Sequence, residues 1–285
     1  MNVMRLRPLF FIISSLMIGI SLFSIIKWGF KTSIDFSGGT VWEIKTNQTK
    51  EQLIPIFQSQ KIDLNSVTPS GQNKVILKFL PISNDQKILL TQEIKKADKD
   101  YTDLRFESLG PSLGKELLKK TIYALILGTL ALLWFIGSKF KDWTFGLGAI
   151  IANFHDAFIL IGSFSLLGHF FGAELDALFV TALLTTLSSS VHDTVVTFDR
   201  IRELKRQNFK IDWVELANQA VSETLVRSIN NSMTIIFMLT SLVVLGGPST
   251  KWFAAALLIG CICGTYSSTA VAIPFVLFIK KLQKK

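Results

Sequence analysis

Three acidic residues lie within or at the edge of long apolar stretches of the sequence, where a charged side chain is costly. They are Asp156, Asp193 and Asp199, and the first two directly follow His155 and His192. A carboxylate at the centre of a membrane helix costs about 2.5–3.5 kcal/mol on insertion scales, and helices that retain one commonly use it. Asp193 lies about 9 Å deeper along a helix than Asp199. We therefore take Asp193 as the first candidate for chemistry and Asp156 as the second.

The residues that accompany Asp193 fit proton binding. Arg227 begins the fifth apolar stretch at about the depth of Asp193, which makes it the predicted counter-charge. Burial raises the pKa of a carboxyl group in general and a nearby arginine lowers it, so a group between these effects can load and release protons. Because neighbouring residues on a helix diverge by about 100°, we expect His155 and His192 to pair with other helices and not with the adjacent aspartates. His192 is itself a candidate to titrate.

Hydrolytic and metal chemistry are the alternatives that these residue types allow. Ser188–Ser190 with His192 and Asp193 supply the groups of a hydrolytic triad, but residues this close on one helix diverge around its axis. The sequence contains no Gly-x-Ser-x-Gly motif to support that reading. A metal site built from the two His-Asp pairs has no ligand spacing that singles it out. No catalytic residue, metal or cofactor is therefore predicted.

These candidates must be positioned by membrane helices. The chain has 285 residues, is 49% hydrophobic and has a mean hydropathy of +0.43, which is too apolar for a soluble protein. Six apolar runs are long enough to cross a bilayer of about 30 Å. They are Pro8–Trp28, Thr121–Ser138, Phe145–Leu167, Ala177–Phe198, Ile229–Leu245 and Phe253–Ile279. The first is interpreted as a retained span, with a cleavable signal peptide as the alternative.

The basic residues predict the orientation of the spans. The net charge of +9 is concentrated at alternate span ends, which favours membrane orientation over nucleic-acid binding. Both termini are then cytoplasmic, and the polar segment after the first span is outside. Asp199 fits a boundary residue on a solvated helix end, paired with Arg200 or Arg202. The domain prediction is a first helix (1–28), an extracytoplasmic domain (29–120) and a five-helix bundle with a cytoplasmic loop. The bundle covers residues 121–285 and the loop residues 199–228.

The outer segment has the pattern of a small α+β domain. Its elements follow the order β-α-β-β-α-β of a ferredoxin-like sandwich. The predicted elements are Thr40–Lys45, Lys50–Gln60, Leu64–Thr68, Lys74–Leu80, Asn84–Lys99 and Thr102–Leu109. Leu113–Lys120 is predicted as an amphipathic helix that leads into the second span. The fold class is thus a polytopic α-helical membrane protein with six transmembrane helices and this domain between the first two.

A paired glycine precedes the first strand. Gly38 and Gly39, three residues after Asp35, fit a tight turn that redirects the chain. A phosphate-binding loop is the functional alternative, but neither Gly-Lys-Ser/Thr nor GxGxxG is present, and a strand follows.

These motifs together resemble the SecF family, the smaller membrane subunits of SecDF protein-export complexes, related to resistance–nodulation–division transporters. The resemblance covers nearly the whole chain. It is carried by five motifs: Asp35–Thr40, Gly110-Pro111 with Gly114 and Glu116-Leu117, His155-Asp156, His192–Val196 with Asp199–Glu203, and Gly260 with Gly264–Ser268. Asp193 and Arg227 match the family positions tied to proton transport.

The resemblance implies a function and partners. A SecF protein pairs with SecD in a twelve-span unit, associates with the SecYEG channel, and uses the proton-motive force to promote late protein export. The implied setting is the bacterial inner membrane, with a thylakoid-type membrane as an alternative, and the implied substrate is an unfolded preprotein. Ser188–Ser190 and His192 depart from the family pattern, which usually has Gly-Tyr-Ser and then Asn. Half of a small-molecule or lipid exporter and a passive scaffold subunit are the alternative functions.

Overall fold

The computed structural model describes residues 2–140, 142–207 and 211–283. The chain forms two compact units. One is Thr32–Tyr123, and the other combines Met1–Lys31 with Ala124–Lys285. We refer to them as the sheet unit and the helical unit.

The elements follow one another in a simple order. Within the described residues they are α1 (Arg7–Trp28), α2 (Ile34–Ser37), β1 (Gly39–Lys45), α3 (Lys50–Ser59), β2 (Leu64–Gly71), β3 (Lys74–Phe79), α4 (Asn84–Ala97), β4 (Thr102–Leu109), α5 (Pro111–Lys139), α6 (Trp143–Phe171), α7 (Ala177–Gln207), α8 (Trp213–Leu245), α9 (Pro248–Ser267) and α10 (Ile273–Leu282). A 3-10 turn, Val3–Leu6, precedes α1, and a π-helical turn, Ser268–Ala272, joins α9 to α10.

Five helices in the described part of the chain are long and apolar enough to cross a membrane. They are Val3–Trp28, Pro111–Lys139, Trp143–Phe171, Trp213–Leu245 and Thr250–Leu282. These correspond to five of the six predicted spans. The sixth, Ala177–Phe198, lies in α7, which is helical but falls below the apolar level of the others. Hydroxyl side chains and the His192-Asp193 pair lower its hydropathy.

The predicted loop 199–228 is largely helical. Helix α7 continues to Gln207 and α8 begins at Trp213, where Asp212 caps the helix by accepting a hydrogen bond from the Val214 N–H. Both helices therefore extend past the end of their apolar stretches into this segment. Ion pairs stabilise the parts of these helices that lie beyond the apolar stretches. Arg200 pairs with Glu203 on its own helix and with Glu223 on α8.

The sheet unit has the predicted β-α-β-β-α-β order. Its four strands are antiparallel in the order β2-β3-β1-β4. Helices α3 and α4 begin with capping boxes at Thr49 and Ser83, which satisfy free N–H groups of the first turn. Alternate residues of the strands pack with the helices around the fully buried Trp42.

A buried carboxylate fixes the loops at one end of this sheet. Asp98 is 7% exposed and accepts hydrogen bonds from the Thr46 hydroxyl (2.6 Å) and from the backbone N–H groups of Asn47 (2.6 Å) and Asp100 (3.0 Å). These donors, the Thr46 hydroxyl foremost, hold the pKa of Asp98 below its ordinary value because they stabilise the ionised form.

The helical unit is held together by small and polar residues as well as by apolar side chains. Ser24 on α1 donates to Ser165 on α6 (3.0 Å), and Ser165 donates to the carbonyl of Gly29 (2.7 Å). At the same crossing, a Cβ on Gly162 would lie 2.2 Å from the Cβ of Ser21. Such close approach is typical of helix packing within membranes.

The turn between α9 and α10 has a local cause. Pro274 lacks an N–H group, and its ring would clash with the carbonyl of Ala270 in a regular helix. The chain widens to π geometry over Ser268–Ala272, directly before this proline.

Candidate functional site

Asp156 is a buried carboxylate of the helical unit with hydrogen bonds to both of its oxygens. It is 3% exposed and accepts three side-chain hydrogen bonds. Oδ1 bonds Nδ1 of His155 (3.0 Å), and Oδ2 accepts from the hydroxyls of Ser190 (2.5 Å) and Ser267 (2.6 Å). The carboxylate therefore joins α6 to α7 and to the end of α9, next to the π-helical turn.

Glycines on α9 allow this close convergence. A Cβ on Gly264 would lie 3.0 Å from the Cβ of Ser190, and a Cβ on Gly260 would lie 2.5 Å from the Cβ of Thr186. The two glycines are one helical turn apart and present a flat strip of backbone to α7. Any larger residue would push α7 away and draw Ser190 from the carboxylate.

The expectation that a histidine does not pair with its neighbouring aspartate was wrong for His155. The 100° divergence applies to the Cα–Cβ bonds, but both side chains bend back toward each other beyond Cβ. The second ring nitrogen, Nε2, is buried and has no hydrogen-bond partner among the described residues. The ring lies near Tyr266, with 6.3 Å between the ring centroids.

Asp193 is half-buried and faces α8. Its Oδ2 accepts a hydrogen bond from the Ser228 hydroxyl (3.2 Å). Arg227, the predicted counter-charge, is the residue before Ser228 and is exposed. Among the described residues no ion pair joins Asp193 to Arg227, so the predicted counter-charge does not bond the carboxylate directly, and its role stays a prediction. Successive positions on α8 diverge by about 100°, and the serine takes the inward one.

A small cavity of about 10 Å³ lies next to Asp193 and Ser190, and Ser190 in turn bonds Asp156. Asp193 and Ser190 are one turn apart on the same side of α7 and both line it. Ser189 of α7 also lines it, and α8 and α9 contribute several polar side chains. These are Asn231, Ser232, Cys261 and Thr265, with Ser232 and Thr265 bonded to each other (2.6 Å).

His192 lies on the opposite, exposed side of α7. With Leu184, Thr185, Ser188 and Ser189 it lines an open groove on the surface of the unit. No hydrogen bond of its side chain is found within the described ranges. The structure thus separates His192 from Asp156, although sequence analysis placed both in one relay.

Asp199 and Arg200 form boundary contacts, as expected for a solvated helix end. Asp199 pairs with Arg202 (2.9 Å) and with Lys139 of α5 (3.5 Å), and its side chain is 42% exposed. Arg200 pairs with Glu203 (2.5 Å) on the same helix and with a carboxylate of α8. The predicted Asp199–Arg202 pair is confirmed.

Asp35, Gly38 and Gly39 lie in the sheet unit. Asp35 is in the short helix α2, and Gly39 begins β1. Gly38 has a φ of +73°, and a Cβ there would lie 2.7 Å from Cα of Pro111 at the start of α5. A Cβ on Gly114 would in turn lie 2.8 Å from N of Gly38. The glycines thus allow the turn to pack against the first turn of α5.

Sequence analysis missed the donors that define the site. Ser190 entered only as part of a rejected hydrolytic triad, Ser267 only as part of a family motif, and Ser228 was not a candidate. A detectable signal existed: each is a hydroxyl within or beside an apolar stretch that also carries a carboxylate. No cluster of three or more metal-ligating side chains occurs in the described parts of the chain. The arrangement is suited to holding and exchanging protons.

Comparison with known proteins identifies the family. A family model for the C-terminal part of the SecD/SecF protein export membrane proteins matches residues 89–282, more than half of the chain. The chain belongs to the SecD/SecF family. The resemblance inferred from the motifs is thereby confirmed.

Individual relatives extend this match beyond the family model. The protein translocase subunit SecF of Thermobaculum terrenum is 36% identical over 286 residues, covering 94% of this chain and 90% of that protein. The protein translocase subunit SecDF of Thermus thermophilus is 31% identical over 264 residues, covering 90% of this chain but only 35% of its own length. The crystal structure of SecDF from Thermus thermophilus, described as a translocon-associated membrane protein, matches with a TM-score of 0.86 at 29% identity. This chain covers 39% of that longer one.

Proposed function

We propose that this chain is the SecF-type subunit of a Sec protein translocase and works with a SecD-type partner. Its relatives include separate SecF chains of similar length and fused SecDF chains that it matches over about a third of their length. The remainder of a fused chain corresponds to the proposed SecD-type partner. The associated SecYEG channel and an unfolded preprotein complete the proposed assembly.

The proposal includes the arrangement in the membrane. Helix α7 is the sixth span, in which buried hydroxyls bond to backbone carbonyls one turn earlier and so offset its polarity. Thr194, for example, donates to the carbonyl of Ser190 (3.0 Å). The sheet unit is a ferredoxin-like domain outside the membrane, and both termini face the cytoplasm of a bacterial cell. The strand order β2-β3-β1-β4 supports the ferredoxin-like assignment.

We further propose that proton passage through the helical unit is coupled to late-stage export. Asp193 is the proton-binding group, Arg227 modulates its charge, and Asp156 is the second carboxylate. His192 contributes from the exposed side of α7. Protonation of Asp193 weakens its hydrogen bond with Ser228 on α8 and shifts the balance between two packings of α7 against α8. The proton gradient supplies the energy, and no cofactor is required.

One observation carries this proposal: two carboxylates lie within the helical unit and bond only hydroxyl or imidazole groups. Asp156 and Asp193 bond Ser190, Ser228 and the other uncharged or titratable donors described above, with no lysine or arginine in direct contact among the described residues. A purely structural carboxylate is commonly neutralised by a direct ion pair, as Asp199 is. Because hydroxyl groups carry no charge, they do not hold the carboxylate in its ionised form, and it can bind and release a proton.

The test measures protein translocation into inverted vesicles that contain the chain and its partner, after ATP is removed and a proton gradient is imposed. The Asp193→Asn variant is expected to assemble normally and to lose the gradient-driven phase. Asp199→Asn is the matched control, because it removes an acid of the same helix that lies at the solvated end. Equal translocation by wild type and Asp193→Asn would overturn the coupling and leave a scaffold role. Normal translocation with failure of small-molecule efflux would favour an exporter.

A further inference from the structure

Ser190 is the residue that lies between the two carboxylates. Its hydroxyl donates to Oδ2 of Asp156 at 2.5 Å, and the same residue lines the cavity that Asp193 also lines. Ser190 is 3% exposed, so bulk water does not compete for its hydroxyl. No other serine of the described helices both bonds Asp156 and lines this cavity.

The cavity between Ser190 and Asp193 has the size and lining that a single water molecule needs. Its volume of about 10 Å³ corresponds to roughly one water, and a buried water requires two to four polar partners. Asp193, Asn231 and Thr265 offer such groups together with Ser190. An apolar cavity of this size would remain dry, but polar groups from α7, α8 and α9 line this one, so a water molecule would find hydrogen-bond partners there.

We propose that Ser190 relays protons between Asp193 and Asp156 through one water molecule in this cavity. The inference rests on the proposed function and adds a route and a relay residue to it. In the step, protonated Asp193 gives its proton to the water, and the water gives one of its protons to Oγ of Ser190. Ser190 passes its original hydroxyl proton to Oδ2 of Asp156. Asp193 ends as a carboxylate, Asp156 as a carboxylic acid, and the water and the serine are unchanged.

The groups around the two carboxylates are compatible with this exchange. His155 on α6 bonds the other oxygen of Asp156 and stays outside the path. Cys261 on α9 lines the cavity, and Tyr266 on α9 bonds the Phe10 carbonyl (2.9 Å). On α8, Arg227 is exposed beside Ser228, and on α7 His192 faces the opposite side. Proton transfer between the carboxylates therefore moves one charge within an uncharged lining.

Ser267 provides a matched comparison. It donates to the same oxygen of Asp156 at 2.6 Å and is equally buried, but it does not line the cavity. A structural role of the hydrogen bonds predicts similar effects for Ser190→Ala and Ser267→Ala. The relay predicts that only Ser190→Ala interrupts the path to Asp193.

The experiment uses the full chain with its partner in proteoliposomes. Gradient-driven proton uptake is followed with an internal pH dye, and the protonated carboxyl bands are followed by infrared difference spectroscopy after a pH jump. Asp156→Asn and Asp193→Asn assign the two bands. Ser24→Ala, a buried serine at the α1–α6 crossing, controls for the loss of any buried hydroxyl. We expect Ser190→Ala to slow proton uptake at least about tenfold relative to Ser267→Ala, in the range of a lost proton-transfer group.

Four results separate the outcomes. Equal rates for Ser190→Ala and Ser267→Ala would overturn the relay, and so would a wild-type spectrum in which the Asp156 band never appears on proton loading. The second result needs no Ser190 variant and holds even if Ser190→Ala fails to fold. If Asp193→Asn leaves proton uptake unchanged, the proposed function itself fails. Loss of uptake in Asp193→Asn with normal uptake in Ser190→Ala overturns this inference alone.

Discussion

Replacing Asp156 by alanine tests whether the carboxylate holds three helices together. The substitution removes the acceptor of three side-chain hydrogen bonds, those from His155, Ser190 and Ser267. Hydrogen bonds between membrane helices contribute about 0.6 kcal/mol each on average and about 1.7 kcal/mol at most. We expect a loss of about 2 kcal/mol, because the serine hydroxyls can turn to backbone carbonyls of their own helices, as Ser267 already does toward Gly264 (3.4 Å).

Asparagine at the same position separates hydrogen bonding from charge. Its single carbonyl oxygen can occupy the place of Oδ2 and accept from Ser190 and Ser267, and its amide can donate to Nδ1 of His155 in the other tautomer. We expect Asp156→Asn to cost less than about 1 kcal/mol, since at most one bond is weakened. The free energy of unfolding is measured by titrating sodium dodecyl sulfate into mixed micelles and following helix content. A loss below about 0.5 kcal/mol for the alanine variant, or an equal loss for both variants, would refute the reasoning.

Two further predictions concern other parts of the chain. Gly162→Ala should destabilise the helical unit by about 1–3 kcal/mol, because the new Cβ would lie 2.2 Å from that of Ser21; Gly19→Ala, with no atom within 4 Å, is the control in the same thermal unfolding assay. Asp98 should make stability fall in acid: the Thr46 hydroxyl and two backbone N–H groups lower its folded pKa, so its contribution is present above the ordinary carboxyl pKa of about 3.9 and is lost as the pH falls through the folded value. Denaturation in urea from pH 7 to pH 3 should show this loss in the wild type and a smaller one in Asp98→Asn.

Periodicity was sufficient to predict the sheet unit because each element carries its own signal. Alternating residues mark β1, and a capping box marks the start of α4 at Ser83. Even α3, which contains Pro55, forms as predicted because its capping box holds the first turn. Hydropathy predicted six membrane helices, and five of them are long and apolar enough to span a membrane in the described part of the chain, for the same local reason. Local patterns did not indicate that α8 begins at Trp213, well before its apolar stretch, because ion pairs with α7 support that region.

The site was predicted only in part because its bonds join distant residues. Asp156 and Asp193 stand out in the sequence as acids in apolar helices, and the structure places one buried and the other half-buried. Their hydrogen-bond partners depend on how far each helix is rotated about its own axis, and hydropathy does not determine that rotation. Arg227 illustrates this: its depth matches that of Asp193, but the next residue, Ser228, is the one that bonds the carboxylate.

The contact between α7 and α9 explains why a helix as polar as α7 can be packed at the centre of the unit. Gly260 and Gly264 bring the α9 backbone against Thr186 and Ser190, so the hydroxyls of α7 lie within reach of acceptors on their own and neighbouring helices. The directional contacts along this strip are hydrogen bonds, whose donors and acceptors change with protonation. A proton that moves to Asp156 removes an acceptor from one hydroxyl and alters the contact without creating a cavity. The glycine strip therefore makes the same contact both tightly packed and sensitive to charge.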